Sequence, residues 1–201
     1  KTHAIAIGSV AHAQEESSLA MGNLAKATNT YAYAIGGNAQ AKGRWSIAMG
    51  TNAVAEDDAS VAIGTWSNAT SGQSAAVGYQ AKAKALGATA LGRLTNVTAV
   101  DGTAIGSSTS VTGLNGTAIG NKANVTVKNG VAIGNEANAK NENAVAIGSG
   151  SETAAAVGTT SETVNGEVHN FAGINPSSTV SVGKTGVERT ITNVAAGRLS
   201  A

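Results

Sequence analysis

Eleven glycines stand at a constant spacing of 14 residues along the first three quarters of the chain. Each follows an Ala and then a larger apolar residue, as in Ala6-Ile7-Gly8. Self-similarity at one fixed period predicts a stacked array of identical units, not a single globular core. The repeated glycines are Gly8, Gly22, Gly36, Gly50, Gly64, Gly78, Gly92, Gly106, Gly120, Gly134 and Gly148.

Each repeat, or coil, is numbered 1 to 11 by its glycine, and the glycine is position 0. Positions −3 and −1 are mostly aliphatic, as in Val61 and Ile63, which predicts a short strand with a few buried aliphatic side chains. Positions +3 and +5 hold small apolar residues, as in Ala53 and Ala55, and predict a second strand. Glycine supplies the turn between them. The fold is therefore predicted to be an all-β solenoid, about 50 Å long at ~4.8 Å per coil.

Position −2 is Ala in all eleven coils. It points to the strand face opposite the aliphatic pair, and a solvent-exposed face would vary. We therefore expect a smooth stripe on which another subunit packs closely. The alternative is that Ala suits a crowded position inside a monomeric solenoid. The stripe consists of Ala6, Ala20, Ala34, Ala48, Ala62, Ala76, Ala90, Ala104, Ala118, Ala132 and Ala146.

Coils 7 to 9 depart from the pattern together. Position −3 is Thr in each, and position +5 is Val instead of Ala. We expect these paired changes to reflect local repacking. Turn-forming pairs such as Asn115-Gly116 and Asn129-Gly130 are expected to close these coils.

Composition excludes several functions. A formal net charge of +1 with no basic run predicts no nucleic-acid partner. The three histidines are scattered, and the acidic run Glu56-Asp57-Asp58 is expected to be a solvated loop, so no catalytic site, metal or cofactor is predicted. The chain shows no export signal or apolar run long enough to span a membrane, and both signal and anchor are expected outside it.

Several segments resemble the YadA-like heads of trimeric autotransporter adhesins from Gram-negative bacteria. The head repeat is represented by Ser60 to Ser67 and by Asn143 to Ser151. After Gly148 the period breaks: a strand ending at Ala156-Val157-Gly158 is followed by an inserted hairpin around Asn165-Gly166, similar to that family's head insert motif. The closing segment from Glu188 to Gly197 resembles the neck that leads to a coiled-coil stalk. The expected divisions are residues 1–158 for the head, 159–179 for the insert, and 180–201 for the neck and the start of the stalk.

The resemblance implies a left-handed parallel β-roll in a homotrimer, with the Ala stripe as the trimer seam. It also implies an adhesin on the bacterial cell surface, held in the outer membrane by a C-terminal anchor. The family's ligands include collagen, fibronectin, laminin and receptors of the carcinoembryonic-antigen type. Its collagen-binding segments are matched here in part, with Ala59 and Ala144 departing from the pattern; the candidate ligand residues they imply are Ser60, Ser67, Asn143 and Ser151.

Four large aromatic residues lie outside the strand pattern. Tyr31, Trp45, Trp66 and Tyr79 are predicted to form part of a lateral ligand-binding surface, since exposed aromatic residues often anchor partners. The alternative is that each covers the edge of the roll or shields its backbone.

Two other classes of protein compete with an adhesin. A left-handed β-helix acyltransferase is also a trimeric solenoid, but its coils follow a hexapeptide period that 14 does not fit. A structural spacer, which would hold another domain away from the cell and bind nothing, fits a neutral alanine-lined rod. Ligand binding separates the spacer from the adhesin.

Overall fold

The structure, a computed structural model, describes residues 2–195. The segment before each repeat glycine forms one strand of a twelve-stranded parallel sheet, which Val180–Ser181 completes. In order, its strands are β1 (Ile5–Ile7), β3 (Leu19–Met21), β5 (Tyr33–Ile35), β7 (Ile47–Met49), β9 (Val61–Ile63), β11 (Ala75–Val77), β13 (Thr89–Leu91), β15 (Thr103–Ile105), β17 (Thr117–Ile119), β19 (Val131–Ile133), β21 (Val145–Ile147) and β24 (Val180–Ser181).

A second parallel sheet of ten strands runs along the other side of the coils. From β1 to β21, each strand residue in both sheets pairs with the residue 14 positions further on, as Ala62 does with Ala76. The predicted parallel β-solenoid of 14-residue coils is thereby confirmed. The ten strands are β2 (His12–Ala13), β4 (Lys26–Ala27), β6 (Gln40–Ala41), β8 (Val54–Ala55), β10 (Asn68–Ala69), β12 (Lys82–Ala83), β14 (Asn96–Val97), β16 (Ser110–Val111), β18 (Asn124–Val125) and β20 (Asn138–Ala139).

The interior of the roll is built from alanine. The position −2 alanines are fully buried within this single chain, from Ala20 to Ala146, and only Ala6 in the terminal coil is exposed. The prediction that this stripe is a subunit seam is therefore wrong, because these alanines occupy a crowded position inside the roll of a single chain. Because each coil turns back after two short strands, the two sheets lie too close for larger side chains to fit between them.

The aliphatic pairs lie on the outside, contrary to the prediction that they are buried. Alternation along a strand places positions −3 and −1 on the face opposite position −2, so the outer surface of the twelve-stranded sheet becomes apolar. Met21, Met49 and Ile147 are 40%, 41% and 45% exposed. We call the outward side chains at positions −3 and −1 of coils 1 to 11 the apolar face.

Coils 7 to 9 show how the interior adjusts its volume. The enlarged Val at position +5 of coils 7 to 9 fills space left by the glycines at position −4 of coils 8 to 10. A Cβ built on Gly116 would lie 2.8 Å from Cγ1 of Val125 and 2.9 Å from Cγ1 of Val111. The predicted repacking therefore pairs Val with this interior glycine, not with the Thr at position −3, which lies on the apolar face. Gly116 thus makes room for the Val side chains. It does not supply the turn conformation that the sequence predicted for it, since Asn115 has the positive φ of 54°.

Beyond coil 11 the chain leaves the roll and returns to it. A two-stranded antiparallel hairpin, β22 (Ser161–Val164) and β23 (Glu167–Asn170), turns at Asn165-Gly166, and both turn residues have positive φ. Strand β24 then pairs with β21 and rejoins the sheet. The expected strand at Ala156-Val157-Gly158 is wrong: these residues form no strand, and Val157 is 76% exposed.

Arg189 holds the segment after β24 against the last coil. Its guanidinium donates hydrogen bonds to the Ser151 hydroxyl at 3.0 Å and to the backbone carbonyls of Ser149 and Val182. These hydrogen bonds satisfy oxygen acceptors at the end of the roll. The predicted start of the coiled-coil stalk falls on residues 196–201, outside the described residues.

Gly36→Ala tests whether the turn requires glycine at position 0, and Gly37→Ala, in the next position, is the control. Gly36 has a φ of +129°, and an added Cβ would lie 2.7 Å from the carbonyl carbon of Gly50 in the next coil. Gly37 meets nothing closer than 3.9 Å. Gly36→Ala should lower the free energy of unfolding by about 2 kcal/mol or more, and Gly37→Ala should change it by less than about 0.5 kcal/mol. Equal urea midpoints for the two variants would contradict this account of the turn.

Candidate functional site: two corners and the apolar face

Two turns per coil border the apolar face, one on each edge. We call positions 0 to +2 corner 1 and positions −7 to −5 corner 2. Non-glycine residues with positive φ occupy one position in almost every corner, and Tyr31, Trp45 and Trp66 each have a φ of 56°. The two corners therefore hold bulky side chains at the edges of the face, where the coil leaves them in solvent.

A groove lined by aromatic side chains lies where corner 2 meets the apolar face. Tyr31, Tyr33, Trp45 and Ile47 line an open cavity of about 220 Å³. The exposed fractions of Tyr31, Tyr33 and Trp45 are 43%, 39% and 55%. We call these four residues the aromatic groove. The sequence predicted Tyr31 and Trp45 as exposed aromatic residues but missed Tyr33, whose only signal was an aromatic ring in the aliphatic column at position −3.

An ion pair between successive coils supports the wall of this groove. Arg44 donates from Nη2 and Nε to Oδ2 of Asp58, at 2.7 and 3.0 Å, and its backbone N–H donates to Oδ1 at 2.8 Å. The guanidinium also stacks on Trp45, with Cζ 5.1 Å from the ring centroid. These hydrogen bonds from Arg44 lower the pKa of the Asp58 carboxyl below its ordinary value. The pair restrains the Trp45 ring and neutralises the charge beside it.

A second aromatic pair lies at corner 1, on the opposite edge of the face. Trp66 and Tyr79 belong to coils 5 and 6, and their rings meet edge to face with centroids 5.8 Å apart and planes at 70°. Both remain exposed, at 48% and 43%. The four aromatic residues predicted as one lateral surface thus form two clusters, separated by the width of the apolar face.

The three serines proposed as ligand contacts are buried. Ser60, Ser67 and Ser151 are each 0% exposed, because they occupy interior positions −4 and +3. The Ser60 hydroxyl donates to the carbonyl of Asp57 at 2.6 Å, and Ser67 donates to the carbonyl of Gly64 at 2.8 Å. Ser151 donates to the carbonyl of Ile147 at 2.7 Å, so all three hydroxyls are used inside the roll and the prediction that they contact ligand is wrong. The sequence contained a signal for this burial, namely the same alternation along the strands that buries position −2.

Asn143 is exposed and ends a ladder of amides along corner 2. Asn115 donates to Asn129 at 3.2 Å, and Asn129 donates to Asn143 at 2.9 Å. Each amide thereby supplies the acceptor for the preceding coil. Asn143 is the only one of the four segment-derived candidates with its side chain on the surface.

The outer face of the ten-stranded sheet is polar, in contrast to the apolar face. Lys42 and Glu56 pair across successive coils at 2.9 Å, and Lys140 pairs with Glu152 at 2.7 Å. Glu56 and Asp58 of the acidic run are thus engaged in separate ion pairs. Within residues 2–195, no three acidic, His or Cys side chains are grouped as metal ligands. That same part of the chain contains no helix of a length and apolarity suited to crossing a membrane.

Comparison with known proteins gives matches along the roll. A family model for the YadA head domain repeat matches residues 1–25, 27–44, 46–65, 69–95, 98–123 and 128–151. A stretch of 52 residues is 60% identical to the autotransporter adhesin BtaE of Brucella suis biovar 1 (strain 1330), and covers 26% of this chain but 7% of BtaE. The collagen-binding domain of the Yersinia adhesin YadA superposes with a TM-score of 0.63 at 29% identity, over 92% of this chain and 90% of that one.

The dependence of stability on acid pH should reveal the contribution of the Arg44–Asp58 ion pair. Because the folded state lowers the pKa of Asp58, the pair stabilises the fold above the unfolded pKa of about 4, and this stabilisation is lost as pH falls through the folded pKa. Asp58→Asn should therefore lower the urea midpoint at pH 7 and flatten its decline below about pH 4. Arg44→Gln should flatten the same decline. Acid profiles that run parallel in wild type and both variants would contradict the assignment.

Proposed function

The chain belongs to the family of YadA head domain repeats, and we propose that it is the head of a surface adhesin that binds host extracellular-matrix protein or a host-cell receptor. The observation that carries this proposal is the uninterrupted array of eleven coils, which reproduces a collagen-binding head over nearly its full length. The relatives are adhesins and not enzymes. The proposed location is the bacterial cell surface, with anchorage in the outer membrane.

A homotrimer is the proposed assembly, and the apolar face is its seam. No charged residue occurs at position −3 or −1 in any of the eleven coils, and the face runs along the whole roll. The single chain leaves it uncovered, with Ile119, Ile133 and Ile147 between 37% and 45% exposed. An exposed apolar surface of this extent typically marks a protein interface. Three such faces turned toward one axis cover each other and leave the polar sheet outside.

Host ligand would then bind the surface that remains outside the trimer. This surface comprises the outer face of the ten-stranded sheet and the outward parts of both corners. Its paired charges, such as Lys42 with Glu56, give no basic track for nucleic acid. Collagen, fibronectin, laminin and receptors of the carcinoembryonic-antigen type are the candidate ligands. Since Ser60, Ser67 and Ser151 are buried, a collagen contact would have to come from other groups.

A charged substitution on the apolar face tests the seam. Met49 lies on this face and Val54 on the outer face of the opposite sheet, so both Met49→Glu and Val54→Glu replace an outward apolar side chain in coil 4. Light scattering should give three times the 19.6 kDa chain mass for the wild type and for Val54→Glu, and a lower mass for Met49→Glu. A monomeric wild type, or an undisturbed Met49→Glu trimer, would contradict the seam.

A measurement of ligand binding distinguishes an adhesin from a structural spacer. The chain should be fused after Ala201 to a trimeric coiled coil and titrated with collagens, fibronectin, laminin and carcinoembryonic-antigen-type receptors. We expect saturable binding to at least one ligand, and the coiled coil alone serves as the control. Absence of binding to every ligand would favour the spacer, whose adhesive part would lie elsewhere in the parent protein.

A further inference from the structure

All the aromatic residues of the roll fall within coils 3 to 6. They are Tyr31, Tyr33, Trp45, Trp66 and Tyr79, and Phe171 lies outside the roll. The structure divides them between the two edges of the apolar face: the aromatic groove is at corner 2 and the Trp66–Tyr79 pair is at corner 1. Neither cluster is covered by the chain that carries it.

Position −1 of the apolar face is an aliphatic residue or Met in every coil, and position −3 differs little between most neighbouring coils; this creates a problem of register. A neighbouring chain displaced by one coil, about 4.8 Å, would meet almost the same aliphatic columns. Identical ladders therefore specify axial position weakly. A displaced contact is also heterologous and non-closing, and such contacts build open helical assemblies instead of rings. A feature that occurs at only one height along the roll would distinguish the closed ring from assemblies displaced by one coil.

The geometry of a three-fold ring brings opposite edges together. When three faces turn toward one axis, corner 1 of each chain lies beside corner 2 of the next. Trp66 follows Trp45 by one and a half coils, an axial difference of about 7 Å. Indole rings that point toward each other span that difference, since aromatic pairs interact at centroid separations of about 4.5–7 Å.

The aromatic groove suits another aromatic cluster. It is open to solvent and is lined by three aromatic rings and by the Ile47 side chain, and Asp58 neutralises the adjacent Arg44. The Tyr31 and Tyr33 hydroxyls have no hydrogen-bond partner in the part of the chain that the structure describes, which leaves them for groups of a neighbour. Tyr33 and Ile47 also belong to the apolar face, so the surface that covers the face continues into the groove.

We propose that Trp66 of one copy, with Tyr79 beside it, packs against Trp45 at the coil 4 end of the aromatic groove of the next copy, forming three aromatic clusters that fix the axial register of the trimer. The inference rests on the proposed trimer and its seam. The partner in this contact is a second copy of the chain. A host ligand in the groove is the competing occupant, and the experiment below separates the two.

Cysteine cross-linking tests the contact directly, because the chain has no native cysteine. Chains carrying Trp45→Cys or Trp66→Cys alone, fused to a trimeric coiled coil after Ala201, are co-expressed and treated with a short bismaleimide. Covalent dimers are expected only in the mixture, because the contact joins position 45 of one copy to position 66 of the next. Trp45→Cys mixed with Lys82→Cys, on the outer sheet, is the negative control and should give none.

A third reporter separates failure of this contact from failure of the seam. Ile133→Cys lies on the apolar face, far from the aromatic residues, and should cross-link with its own copies if the face lines the axis. Cross-linking at Ile133→Cys without the mixed 45/66 product would overturn the aromatic contact and leave the seam intact. Absence of both products would overturn the seam and the contact with it.

Substitution with leucine tests whether the rings interact. In the unfused chain, Trp45→Leu and Trp66→Leu should each weaken the trimer about tenfold, and the double variant should be weakened little further. Weakening by the product of the two single effects would overturn packing between these rings. Undisturbed trimers that lose ligand binding in Trp45→Leu would assign the groove to a host ligand and overturn the inference.

Discussion

The narrow interior of each coil determines which side chains are buried and which lie on the surface. Two short strands and two tight turns close each 14-residue coil, and the enclosed space admits Ala, Ser, Thr and, where a glycine faces it, Val. Ala62 is fully buried, whereas the larger Val61 and Ile63 lie outside. The core is thus continuous along the rod but thin in section, and stability comes from stacking one coil on the next.

The same constraint produces the surfaces that carry function. Side chains too large for the interior are placed on the outer face of one sheet, where they form an apolar face that a single chain cannot cover. The opposite sheet presents paired charges such as Lys42 and Glu56 to solvent. The corners accept bulky residues in left-handed conformations, so Trp45 and Trp66 project without disturbing the core. The interior therefore stays nearly constant while the two edges vary.

Much of the fold could be predicted from the sequence, but not which side of the strand faces inward. The glycine period gave the coil length, and the alternation before each glycine gave the strand. Alternation alone does not identify the buried face when both faces are apolar, and hydrophobicity favoured Val61 and Ile63 over Ala62. Side-chain volume was the informative property. The same reversal explains the error at Ser60, and Tyr33 was missed because its partner in the groove lies one coil away.

Urea unfolding of Ala62→Leu tests whether alanine fills a narrow interior. If Ala62 is enclosed between the two sheets, the enlarged side chain cannot be accommodated, and the β-sheet transition should shift to much lower urea or disappear. If Ala62 instead lies on a surface between subunits, the chain should unfold at its original midpoint and only its assembly mass should change. That second result would contradict the account.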